Sequence, residues 1–135
     1  MKVLLDTNFM LIPGQFRVDI FESIDKATEE KVDFYILDVS LKELEKVSKI
    51  GKMRDRTAAR IGLVLAKKAK VVKTESIKNV DTLLLEAAVK YKCTVATQDK
   101  ELKDRLKKEQ IPVYYYPHFF SLKHLCNIKL IHINI

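Results

Sequence analysis

The chain has 135 residues, a net charge of +7 and an apolar content of 47%. That length supports one domain around one core, and no run of about eighteen apolar residues offers a membrane-spanning helix. Cys93 and Cys126 are too few and too far apart for a disulfide framework or a zinc site, and Asp6 interrupts the first apolar stretch too early for a signal peptide. A reduced, cytoplasmic setting without a membrane partner is expected.

Val3, Leu4 and Leu5 read as a strand buried on both faces, as in a parallel sheet. Asp6-Thr7-Asn8 follows at the strand's carboxyl end, where ligands bind in open α/β sheets and an acid costs little to solvate. Pro13 and Gly14 mark a loop. From Asp19 to Glu30, Ile20, Phe21, Ile24 and Ala27 recur at helical spacing. Phe34 to Leu37 is a second strand, and Asp38 after it reads as a turn residue. Ser40-Leu41-Lys42-Glu43 fits a capping box, with Leu41, Leu44 and Val47 as the helix's apolar face and Gly51 as its end. Asp55 to Lys68 is predicted helical, packed through Ala58, Ala59, Ile61, Val64 and Leu65. Val71-Val72 is a third strand.

Asn79-Val80-Asp81 opens another helix, carried by Leu83, Leu84, Ala87, Ala88 and Tyr91. Cys93 to Thr97 is the fourth strand. Asp99 to Glu109 is a helix with only Leu102 and Leu106 on its apolar side. Ile111 to Tyr116 is the fifth strand. Strands alternating with helices predict a three-layer α/β sandwich, with a central parallel sheet of about four to five strands flanked by helices. Residues 1–117 form that domain. In the extension 118–135, Ile131 to Ile135 alternates apolar and polar, which suits an edge strand or a subunit contact in a homodimer.

The excess charge is local. Lys42 to Lys73 holds eleven Lys or Arg against three acids, and the remainder is close to neutral. Such a segment is either a solvated helical face or a footprint for a polyanion such as nucleic acid.

Four acids share one predicted placement at the carboxyl edge of the sheet. Asp6 ends the first strand, Glu43 lies at a helix start, Asp81 opens the next helix and Asp99 follows the fourth strand. Taken singly, Glu43 suits a capping box, and Asp81 and Asp99 suit helix N-termini. Brought together, they would repel one another unless a hard divalent cation neutralised them; Mg²⁺ takes such oxygen ligands. Asn8 and Thr97 are placed to orient a carboxylate or a metal-bound water. His118, His124 and His132 all lie in the tail, and no glycine-rich phosphate loop exists, so no other catalytic constellation competes.

The stretches Asp6-Thr7-Asn8, Ser40 to Leu44 with Glu43, Asp81-Thr82-Leu83-Leu84 and Thr97-Gln98-Asp99 together resemble a PIN-domain nuclease. Gln98 stands where that family more often has Asn. The resemblance covers residues 1–116. It implies metal-dependent hydrolysis of RNA phosphodiesters, with Asp6, Glu43, Asp81 and Asp99 around Mg²⁺ or Mn²⁺. Glu43 to Val47 and Val95 to Lys103 resemble most the archaeal relatives of ribosomal-RNA-processing PIN nucleases, which implies a ribosome-assembly partner. The toxins of toxin–antitoxin pairs share the same acids, which implies an antitoxin instead. On this reading Lys46, Lys49, Lys52, Arg54, Arg56, Lys100 and Lys103 hold the RNA backbone. A non-catalytic RNA-binding scaffold and a different metal-dependent phosphotransferase are the rival readings, since fold does not fix function.

Overall fold

Val3, Leu4 and Leu5 are each almost fully buried, as their unbroken apolar run requires. They belong to β1 (Lys2–Leu5), which lies in the middle of the sheet between β2 (Asp33–Leu37) and β4 (Thr94–Ala96). The computed structural model describes residues 1–75, 77–116 and the backbone of 129–131. β3 (Lys70–Val72) lies beyond β2, and β5 (Val113–Tyr115) beyond β4. These five strands pair in parallel. β6 (Lys129–Ile131) adds to β5 antiparallel, giving the order β3-β2-β1-β4-β5-β6. The proposed subunit-contact role of the tail concerns residues outside those described, save this one edge strand.

The pleat sorts the core into two. Val3, Leu5, Ile36 and Ala96 face one side with Phe9, Met10, Ile12, Ile20, Ile24 and Leu44. Leu4, Leu37 and Val95 face the other with Leu83, Leu84, Leu102 and Leu106. Four helices therefore cover the first face: α1 (Ile12–Phe16), α2 (Ile20–Ala27), α3 (Asp38–Ile50) and α4 (Met53–Leu65). α5 (Val80–Tyr91) and α6 (Lys100–Lys108) cover the second. This is the expected three-layer α/β sandwich.

Several local expectations change. Pro13 and Gly14 do not form a loop; they lie in α1, with Pro13 in its first turn, where a missing N–H costs nothing. A 3-10 turn over Asn8–Leu11 precedes it, so Asp6 is followed almost at once by helical structure. No capping box forms at Ser40. α3 starts directly from β2 with Leu37 at its N-cap, which places Ser40 inside the helix, buried and with no hydrogen-bond partner for its hydroxyl. Gly51 does end α3, in extended rather than left-handed backbone.

α4 packs through its small residues. Ala58, Ala59 and Gly62 are buried, whereas Ile61 and Val64, predicted inside, are 41% and 63% exposed. The reason is the close approach of α1 and the 3-10 turn. A Cβ on Gly62 would lie 2.5 Å from the Met10 carbonyl oxygen, and one on Gly14 would lie 2.6 Å from Ala58 Cα. Larger residues on that stripe would push the helices apart. Tyr91, also predicted inside, is 41% exposed at the end of α5. Cys93 is buried and unpaired; Cys126 lies outside the described residues. Among the described residues no helix is long and apolar enough to cross a membrane.

Gly62→Ala should lower stability in urea unfolding by roughly 1–3 kcal/mol, because backbone rather than a flexible side chain must give way. An unchanged midpoint would show that the 3-10 turn yields freely.

Candidate active site

The strand order creates a crevice. From β1 the chain turns towards β2 and β3; from β4 it turns the other way, towards β5. The connections leaving β1 and β4 therefore diverge between these neighbours, above the sheet's first and second faces. Such a switch point is where open parallel sheets bind ligands. Register puts Leu5 beside Ala96, so Asp6 and Thr97 emerge next to each other. The Asp6 N–H donates to the Ala96 carbonyl at 2.9 Å, carrying the ladder one residue into the site.

Asp6 is not the solvated acid its position suggested: its side chain is buried, and the residue is 5% exposed. Its Oδ2 accepts the Thr97 hydroxyl at 2.7 Å and its Oδ1 accepts the Thr7 N–H at 2.7 Å. Burial pushes its pKa from 3.8 to about 6; the two hydrogen bonds oppose that rise, and the charges of Asp81 and Glu43 add to it. Thr97 also accepts the Asp99 N–H at 3.1 Å, so its hydroxyl ties the β1 acid to the β4 loop. Asn8 acts on that loop as well. Its Oδ1 accepts the Gln98 N–H at 3.1 Å, which fixes the backbone of that loop.

Glu43 reaches the site from the second turn of α3. It is exposed, and its Oε1 accepts the Thr7 hydroxyl at 2.9 Å. Asp81 lies in the first turn of α5, whose N-cap is Asn79, accepting the Thr82 N–H. The Asp81 carboxyl is raised by burial and then by the charge of Asp99, with Arg105 pulling the other way. Asp99 is the N-cap of α6: its Oδ1 accepts the Leu102 N–H at 3.1 Å. A cap uses one carboxylate oxygen, so it does not preclude a ligand at the other. Asp38 stands apart. Its carboxylate accepts the Thr74 N–H and hydroxyl and the Val39 N–H, binding the start of α3 to the chain after β3. Those bonds outweigh partial burial and hold its pKa low.

Thr7 and Gln98 were not assigned roles from the sequence, and Arg105 was read there only as one of the cations of its helix that would hold the RNA backbone. Thr7 bridges Asp6 and Glu43, Arg105 donates to the Thr82 hydroxyl at 3.3 Å beside Asp81, and Gln98 clamps the backbone of Tyr116 through both ends of its amide. A threonine or glutamine gives no periodic signal, and Arg105 is hidden among the other cations of α6. Of the predicted backbone-binding cations, Lys46, Lys49, Lys52, Arg54 and Lys100 are exposed, and Arg56 and Lys103 are half-buried. Lys46 lies one turn along α3 from Glu43. Lys103 sits over the Tyr115 ring at 4.7 Å, and Arg54 over Phe16 at 5.8 Å.

The donor set is all oxygen, and it includes a carboxylate made harder to ionise by its burial and, to a lesser extent, by its acidic neighbours. That chemistry fits a hard divalent cation. Among the described residues, no three His, Cys, Asp or Glu stand as a ready cage for a metal ion. The fit is thus to an ion such as Mg²⁺, which keeps several waters and takes one or two carboxylates directly.

Fold and site together define a parallel α/β domain whose switch point carries a buried Asp6 that feels the charges of Asp81 and Glu43. Residues 3–116 match the family model described as a PIN-like domain. Ribonuclease VapC9 of Archaeoglobus fulgidus is 36% identical over 112 residues, covering 82% of this chain and 79% of that protein. Ribonuclease VapC4 of Methanocaldococcus jannaschii is 30% identical, with 83% and 87% covered. The solved structure of the PIN domain endonuclease Utp24 superposes with a TM-score of 0.69 at 32% identity, covering 85% of this chain and 84% of that one. The chain belongs to the PIN-like domain family.

Asp6 has a pH consequence. Its folded pKa lies above 3.8, so the folded state holds the proton more tightly. The resulting stability is present below about pH 4 and is lost as pH rises through about 6. Asp6→Asn should therefore raise metal-free stability at pH 7.5 by about 2 kcal/mol, within the roughly 3 kcal/mol that such a shift represents. The gain should vanish near pH 3.5. Equal gains at both values would assign the effect to packing instead.

Proposed function

We propose that this chain is a metal-dependent endoribonuclease whose carboxylate pocket holds Mg²⁺ or Mn²⁺ and cuts RNA phosphodiesters. The observation that carries the reading is Asp6, a carboxylate buried at the sheet's switch point and burdened by the charges of Glu43 and Asp81. An acid kept in so unfavourable a setting is costly for folding and suits a cationic ligand. Asp6, Glu43, Asp81 and Asp99 would hold the ion, which when bound polarises a phosphoryl oxygen and makes water more acidic. Thr97 and Thr7 fix the Asp6 carboxylate through its two hydrogen bonds. Asn8 steadies the β4 loop that carries Asp99, and Arg105 offsets negative charge beside Asp81.

The RNA backbone would lie along Lys46, Lys49, Lys52, Arg54 and Arg56 on the α3–α4 hairpin and along Lys100 and Lys103 on α6. Replacing Lys46, Lys49 and Lys52 together by Ser should weaken RNA binding and flatten its dependence on log salt by roughly two, since each lost phosphate contact removes about 0.7 from the slope for single strands. An unchanged slope would place the RNA elsewhere.

Two readings of the substrate are supported. The motifs around Glu43 and Asp99 favour processing of ribosomal RNA with an assembly partner. Similarity to two ribonucleases named VapC favours a toxin-type enzyme held by an antitoxin. Asp6→Asn should leave the fold intact and abolish Mn²⁺-stimulated cleavage of RNA. Sequencing the cut ends, with that variant as control, distinguishes cuts confined to precursor ribosomal RNA from cuts that arrest growth on expression. Full activity in the variant would remove Asp6 from the chemistry, and carboxylate-independent RNA binding without cleavage would favour a scaffold.

A further inference from the structure

The two helices on the second face each bring an acid to the site near their start, Asp81 in the first turn of α5 and Asp99 at the N-cap of α6. Arg105 lies further along α6, six residues after Asp99. At 1.5 Å per residue that is about 9 Å down the helix. Side chains on a helix lean towards its N-terminus, so a long one returns towards the acids. The Arg105 guanidinium does return: one terminal nitrogen donates to the Thr82 hydroxyl at 3.3 Å, one residue from Asp81. There its charge acts on the Asp81 carboxyl, against the charges of Asp99 and Glu101.

The guanidinium stands close to carboxylates and is paired with none. Among the described residues it forms no ion pair, either with Asp81 and Asp99 across the site or with Glu101, Asp104 and Glu109 on its own helix. It is half-buried and held by one long bond to a neutral hydroxyl, which leaves most of its N–H donors uncommitted. The other cations of α6 are placed differently. Lys103 lies over the Tyr115 ring at 4.7 Å, and Lys100, Lys107 and Lys108 are exposed. A charge partly withdrawn from water and left unpaired costs free energy until an anion reaches it. A phosphate answers that need well, because the planar guanidinium fork meets two of its oxygens at once.

We propose that Arg105 is a catalytic residue of the nuclease, its guanidinium gripping the scissile phosphate over Asp81 and stabilising the charge that builds on it during cleavage. The inference rests on the ribonuclease reading and deepens it, taking Arg105 from the cations that hold the RNA backbone to the reacting group itself. Thr82 fixes the guanidinium before substrate arrives, so little reorganisation is needed at the moment of reaction. A brace between α5 and α6 is the rival role for the same hydrogen bond. A brace acts through the placement of Asp81 and would disturb metal binding; a phosphate grip acts only once substrate is present.

The test uses the full chain and a short single-stranded RNA. In EDTA, Arg105→Gln should bind the RNA within about threefold of wild type, since one contact among several to the backbone is lost. In Ca²⁺, which also takes carboxylate oxygens, wild type should bind more tightly than in EDTA, and Arg105→Gln should lose roughly tenfold of that affinity, the scale of one charge-assisted hydrogen bond. In Mn²⁺, its single-turnover cleavage should fall by roughly a hundredfold or more. Arg105→Ala should recover part of its rate in guanidinium chloride and none in equal NaCl. Mn²⁺ binding without RNA, read by electron paramagnetic resonance, should be no weaker in Arg105→Gln, because a positive charge has left the site. Weakened Mn²⁺ binding, cleavage that guanidinium does not restore, or unchanged cleavage overturns the proposal. Arg105→Lys keeps the charge and the stem but not the fork, so its loss of cleavage decides the matter if Arg105→Gln disturbs the packing of α5 on α6. No Mn²⁺-stimulated cleavage by wild type, with the Ca²⁺-dependent loss in Arg105→Gln intact, would sink the nuclease reading and leave the phosphate grip standing.

Discussion

The Asp6 carboxylate is the contact on which the site depends. It leaves the central strand at the point where the two halves of the sheet turn away from each other. Ladder pairing to Ala96, the Thr97 hydroxyl and the Thr7 N–H hold it there. Each of those partners extends the arrangement. Thr97 reaches Asp99 through its backbone, and Thr7 reaches Glu43 through its hydroxyl. Thr97 and Thr7 thus tie Asp6 to the Asp99 backbone and to Glu43, while Asp81 is linked to Asp6 by charge alone; the raised affinity of Asp6 for a proton comes first from its burial and only last from the charges of Asp81 and Glu43. Hydrogen bonds to the charged form limit that rise, which keeps the carboxylate available to a cation near neutral pH.

The first-face helices set the surroundings. Gly14 and Gly62 let α1 and the 3-10 turn approach α4 with no side chain between them. That packing brings Asn8, Gln15 and Phe16 together around one cavity with Gln98. It also presents the cation-rich α3–α4 hairpin on the same side of the molecule as Glu43. Exposed cations of α3 and α4 thus lie on the same elements as Glu43, a charge distribution that attracts a polyanion.

The differences from expectation have physical causes. Ser40 matched a capping pattern, but β2 passes into α3 without a loop, so the helix begins earlier and Asp38 takes the structural role through Thr74. Ile61 and Val64 fell on a helical apolar stripe, yet the neighbouring backbone is too close for large residues, and the alanines and Gly62 occupy the contact. Asp99 turned out to be a helix cap and a member of the acid edge together, because one carboxylate can serve both with different oxygens.

The sequence alone determined the parallel α/β class, since unbroken apolar runs alternating with amphipathic stretches have few other ways to bury themselves. It also determined that Asp6 stood at a strand end and Asp81 and Asp99 at helix starts, because those positions depend only on local pattern; Glu43, expected at a helix start, lies in the second turn of α3. Strand order, the burial of Asp6, the Thr7 bridge and the cavity beside Phe16 were decided by tertiary structure. They arise from contacts between residues far apart in the chain, such as Asp6 with Thr97, and local periodicity carries no information about which distant partner a side chain will meet.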